Sequence, residues 1–272
     1  MTKEVVRTWL FLLLVLFLMI RQFAEQTEEA ELAEVTEPLL CDEQVFTDSI
    51  TLGRTHQRAW SEYMYNEEFC TQYQIAFERV AQAASYRTAS RVRNWQNDAD
   101  YWHEVYRMLY HHDKGNMAAL QDSLLAVGQA SQLDRSAFAR MVVAFVQDIP
   151  YNYIMPKGCE GYDQHPCVPN ERYGILSPVE FLYRLQGDCD TRTVLLFTLL
   201  TNLGYHPVIV NSSEYAHSML ALDIPASGDY LVHKGRRYAF WETTNTGWLP
   251  GMIPPSMNNL HYWHVVLDTD QL

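Results

Sequence analysis

Positive charge is scarce in this chain. Lysine and arginine together number 20 against 33 aspartates and glutamates, a formal net charge of −13 with the ten histidines neutral. Binding a phosphate backbone ordinarily requires a basic face, so nucleic acid is excluded as a partner. No internal repeat is present, and no low-complexity segment apart from one acidic stretch. The histidines lack the company a metal needs. His111 and His112 close a helical stripe and His261 and His264 stand three apart, but neither pair has a carboxylate or cysteine at ligand spacing. Neither a metal nor a cofactor is expected.

Cysteine is sparse and odd in number, at five. Cys159 and Cys167 flank a short loop rich in Gly, Pro, Asp and His, which suits a disulfide in an oxidising compartment. Cys41 and Cys70 are the second candidate pair, which leaves Cys189 as the odd thiol.

The chain is nonetheless rich in core material: 272 residues, 48% hydrophobic and 13% aromatic, enough for one substantial core with at most a small satellite. Near the start, Trp9 to Ile20 is an unbroken apolar run with Lys3 and Arg7 before it and Arg21 after it. No small-x-small cleavage site follows, so the expectation is an uncleaved signal anchor over 8–21 rather than a cleaved signal peptide. The flanking charges orient residues 1–7 to the cytoplasm and the main domain to the periplasm or the cell exterior. Residues 22–44, carrying Glu25, Glu28, Glu29, Glu31, Glu34 and Glu37, read as a solvated tether.

A mixed and largely helical portion is expected over 45–135. Phe69, Thr71, Tyr73, Ile75 and Phe77 alternate in the manner of a strand, with a turn at Asn66-Glu67-Glu68, although Ala76 to Ala84 also suits a helix. Tyr101, Trp102, Val105, Tyr106, Leu109 and Tyr110 form one helical stripe, read as core, and Met117 to Val127 forms another. Asp134 caps a third helix, which Pro150 stops. Ser177-Pro178-Val179-Glu180 is a capping box with proline at the first helical position.

Over 136–272 the chemistry gathers around Gln186 to Val210. Gly187 permits a turn, Asp188 caps, and from Cys189 onward Val194, Leu195, Phe197, Leu199, Leu200 and Leu203 recur at helical spacing until Gly204. Cys189 thus falls in the first turn of a buried helix, where unpaired N–H groups and the dipole favour an anion such as a thiolate. His217, on an expected strand, supplies a base, and Glu242, in a later apolar run, can orient that base. Asp188 and Asp190 flank the thiol and oppose its ionisation, with Arg192 as a counter-charge.

The stretches Gly187-Asp188-Cys189, His217-Ser218-Met219-Leu220 and Trp241-Glu242-Thr243-Thr244, with Phe145 to Tyr151 ahead of them, resemble the transglutaminase-like superfamily of papain-like cysteine enzymes. The resemblance spans roughly 136–253 and is closest to bacterial membrane-anchored members. It implies an α+β fold in which the catalytic helix packs on an antiparallel sheet, with a helical N-terminal portion and one transmembrane helix. It also implies a Cys189–His217–Glu242 triad, although the family ordinarily has Asp at the third position. Gln147 is the side-chain oxyanion candidate, with Tyr151 and Gln186 as further ones. The activity implied is acyl transfer or hydrolysis on peptide or protein amides; the other reading is a membrane-tethered binding module without turnover.

Overall fold

In this computed structural model the structure describes residues 44–48, 52–162 and 166–272. Residues 41–272 cluster into one unit, an α+β domain whose two larger sheets are antiparallel throughout.

The first sheet, in the order β1-β2-β3, joins β1 (Gln44–Asp48), β2 (Gly53–Glu62) and β3 (Glu67–Ala76). The alternation at Phe69, Thr71, Tyr73 and Ile75 is the buried face of β3, and the helical period starting at Ala76 is also real, because α1 (Phe77–Ala89) begins at the next residue. The two periods follow one another along the chain. The turn falls at 63–66, and Glu67 and Glu68 are already in β3.

Four more helices follow before the central one. α2 (Asp98–Asp113) is capped by Asn97, whose side chain accepts from Asp100 N, and α3 (Ala118–Ala130) follows it. α4 (Arg135–Gln147) is capped by Asp134 through Ala137 N at 2.8 Å. α5 (Pro178–Arg184) starts from a complete Ser177–Glu180 capping box. Behind the box, Arg87 Nε donates to Glu180 Oε2 at 2.7 Å and Arg87 Nη2 to Glu180 Oε1 at 2.8 Å, fastening α1 to α5 through a buried, bidentate ion pair. β4 (Tyr153–Ile154) and β5 (Cys167–Val168) pair in parallel, and Cys159 is joined to Cys167 with Cα atoms 6.1 Å apart.

α6 (Cys189–Asn202) is buried nearly all round, as its apolar composition requires. One side packs on β6 (Pro207–Ser212) and β7 (His217–Leu222), and α2, α4 and α5 touch the rest. It ends in a Schellman motif. Gly204, at φ +77°, donates to Thr201 O and Tyr205 N donates to Leu200 O. β8 (Tyr230–His233) and β9 (Arg236–Trp241) form a hairpin through Lys234-Gly235, both at positive φ, and β10 (His264–Asp268) completes a sheet of order β10-β6-β7-β9-β8.

Among the described residues, no helix is long and apolar enough to cross a membrane. The expected anchor at 8–21, the tether up to residue 43 and Cys41 lie outside the described residues, while Gln44, the last residue of the expected tether, opens β1.

Candidate active site

Two neighbouring strands bring the base and its partner together. His217 opens β7, and Glu242 directly follows β9, which pairs with β7 from Leu220↔Trp241 to Leu222↔Ala239. His217 Nε2 lies 2.8 Å from Glu242 Oε2, with both side chains buried. The other carboxylate oxygen, Oε1, accepts from Thr243 N at 2.7 Å, Thr244 N at 2.8 Å and Thr244 Oγ1 at 2.7 Å. Burial pushes the Glu242 carboxyl up, but the hydrogen bond and charge of His217, with the bonds from Thr244, outweigh it and hold the pKa below the usual value. Glu242 is therefore an anion at neutral pH. With Nε2 committed to it, Nδ1 is the ring atom left to receive a proton.

Cys189 is the first residue of α6. Its sulfur lies beside the backbone N–H of Ser218, the residue after His217, which sets the nucleophile near the start of β7. Burial, then the charges of Asp190 and Asp188, raise the thiol pKa well above its ordinary value. The resting group is a thiol, with the Asp190 carboxyl beside it. Asp190 accepts from Tyr106 Oη and Ser218 Oγ, while Asn211 Nδ2 donates to Ser218 Oγ at 2.9 Å. This polar cluster is a functional element that hydrophobic periodicity conceals, since Tyr106 reads as a core aromatic. The available signal was its place in the series Asp98, Trp102, Tyr106, four residues apart and so on one face of α2.

Asp188 caps α6, with Oδ1 accepting from Thr191 N at 3.1 Å. Burial first, and then Asp190, push its carboxyl up to about 8. Gly187 earns its place by space rather than by a left-handed turn. A Cβ there would lie 2.8 Å from Thr191 Cγ2 and 2.9 Å from Phe181 Cε2, and the left-handed residue at this corner is Leu185, at φ +53°.

Arg192 is fully buried, and its guanidinium is spent on carbonyls. It donates to Gly187 O at 3.2 Å, Val146 O at 2.8 Å, Thr243 O at 3.1 Å and Ile149 O. Burial lowers its pKa to about 10, so it stays charged and places one positive charge behind Tyr151, Asp188, Glu242 and Cys189.

Gln147 does not face the sulfur. Its Nε2 donates to Glu242 O at 2.7 Å and to Trp248 O at 2.9 Å, which uses both N–H groups to brace the segment behind the carboxylate. Tyr151 is the side chain that reaches the helix tip, where its hydroxyl lies beside the Cys189 backbone N–H. Burial, then the neighbouring Cys189 and Asp188, keep its pKa far above the usual range, so it remains an O–H donor. Gln186 is exposed, at the mouth of the turn.

No family model, curated protein or solved structure matches the chain. The site must be read from its own atoms. Among the described residues no cluster of His, Cys, Asp and Glu is arranged to hold a metal ion. A cleft of about 350 Å³ opens on His217 and Asp190, lined also by Asp98, Trp102, Asn211, Ser212, Ser213 and Ala216. A thiol at a helix tip, an imidazole oriented by a buried carboxylate and an adjoining cleft can together support nucleophilic acyl chemistry.

Proposed function

We propose that this protein is a transglutaminase-like cysteine enzyme that forms an acyl-enzyme with peptide or protein amides. The observation that carries the reading is the 2.8 Å His217–Glu242 bond, with the Cys189 sulfur beside the next residue, Ser218. Cys189 Sγ attacks the amide carbonyl, and its proton passes to His217 Nδ1. Glu242 stabilises the imidazolium and fixes the tautomer. The Cys189 N–H and the Tyr151 hydroxyl receive the negative oxygen. As the C–N bond breaks, His217 returns the proton to the departing amine, and water or another amine then releases the acyl group from sulfur.

The papain-like arrangement of the core belongs to the same proposal and is supported by a cysteine-bearing helix packed against the antiparallel strand that carries the histidine. A location outside the cytoplasm, with the chain tethered through 8–21, is supported by the Cys159–Cys167 disulfide and by the apolar run Trp9 to Ile20.

The crowding of Asp188 and Asp190 around a protonated thiol favours a second reading, a binding module that has lost turnover. Thiol labelling separates the two. Iodoacetamide should modify Cys189 at a rate that falls about tenfold or more in His217→Ala, read by peptide mass spectrometry. Slow labelling that is indifferent to His217 overturns the enzymatic reading.

A further inference from the structure

Among the described residues, the cleft beside His217 is lined by acid and aromatic surface and by no lysine or arginine. Asp98, Trp102 and Tyr106 succeed one another at intervals of four along α2, so a carboxylate, an indole and a phenol run down one helical face toward Asp190. Asp98 stands exposed in the first turn, where Ser213 Oγ donates to its Oδ2 at 3.3 Å. Trp102 is stacked on Tyr106 at 5.3 Å with 23° between the rings, which fixes the indole as a wall of the cleft. Cleft-lining residues include Asp98 and Asp190, with His217 as the single basic group. Asp188 and Glu242 lie behind them, and Arg192, the nearby cation, is sealed in the interior among carbonyls.

A carboxylate-bearing ligand meets no counter-charge there. An ammonium or guanidinium meets a carboxylate and an indole, the pair of groups that attracts organic cations in water. We propose that this cleft receives a cationic group of the substrate, held by the Asp98 carboxylate against Trp102, so that the enzyme selects lysine-, arginine- or amine-bearing peptides. The proposal rests on the reading of Cys189 as the nucleophile.

Charged thiol reagents of matched size test it without any knowledge of the substrate. Trimethylammonioethyl methanethiosulfonate and sulfonatoethyl methanethiosulfonate both place a mixed disulfide on a thiolate and release methanesulfinate. The cationic-to-anionic rate ratio at Cys189, divided by the same ratio for free 2-mercaptoethanol, should be about tenfold in the wild type and fall several-fold in Asp98→Asn. Trp102→Leu should slow the cationic reagent more than the anionic one. A normalised ratio near one, or one that Asp98→Asn leaves unchanged, overturns the proposal. If modification by both reagents is indifferent to His217→Ala, it is the reading of Cys189 as nucleophile that fails; charge-blind modification that still depends on His217 sinks only the cation preference.

Discussion

Replacing Asp188 by Asn should stabilise the protein at alkaline pH and leave it unchanged in acid. The carboxyl is buried at the tip of α6 and its pKa stands at about 8 against 3.8 for the free group, with burial the main cause and Asp190 the next. A raised folded-state pKa means that the stability linked to this group is fully present below the unfolded value of 3.8 and is lost as pH rises through about 8. The separation is about four units, and at about 1.4 kcal/mol per unit the ceiling is about 6 kcal/mol. Water entry and the charge on Arg192 reduce this, and about 3 kcal/mol between about pH 5 and about pH 8 is the working figure. Asn serves as an N-cap as well as Asp does, so the hydrogen bond to Thr191 N survives the exchange. Urea denaturation of both proteins at about pH 5, 6.5 and 8 is the assay, and the midpoints should separate by roughly one molar at the alkaline end. Burial also raises the Asp190 pKa, which gives both proteins a common slope in the same direction. The difference between them reports Asp188 together with its interaction with Asp190. Parallel curves, or a variant less stable than wild type near pH 8, would refute the reasoning.

Two further outcomes are expected. Glu242→Gln should retain the packing but lose the anion that orients His217, and the rate of Cys189 alkylation should drop by about 100-fold or more, with the far-ultraviolet circular dichroism unchanged. Arg87→Met should cost about 3 to 5 kcal/mol in chemical denaturation, because it removes the bidentate partner of the fully buried Glu180 carboxylate and leaves it only the more distant Arg184, at 3.9 Å. Adding Glu180→Gln to that variant should recover part of the loss, and no recovery would contradict the assignment of the cost to an uncompensated charge.

Local signals announced much of this domain. The Asp134 and Ser177 caps, the Cys189 helix with its Gly204 stop, and the strand that opens with His217 all lie where short-range chemistry puts them. The meeting of His217 and Glu242 was partly legible as two apolar runs able to pair, although β9 reaches β7 past the intervening β8, to which the tight Lys234-Gly235 turn joins it. What stayed hidden depends on contacts between distant parts of the chain. Tyr106 reaches Asp190 across 84 residues, and nothing in an apolar stripe marks one phenol as a hydrogen-bond donor. Arg192 reads as a counter-charge for the thiol, but its guanidinium is divided among four carbonyls, a role visible only once three segments are seen side by side. Gln147 is occupied elsewhere for a similar reason: two carbonyls of the segment after β9 take its side-chain N–H groups.

The grip of Arg192 has a mechanical consequence. One guanidinium ties the end of α4, the approach to α6 and the exit from β9, so these three cannot part without leaving a buried cation bare. The spacing of sulfur, imidazole and carboxylate is therefore as rigid as the hydrophobic interior itself.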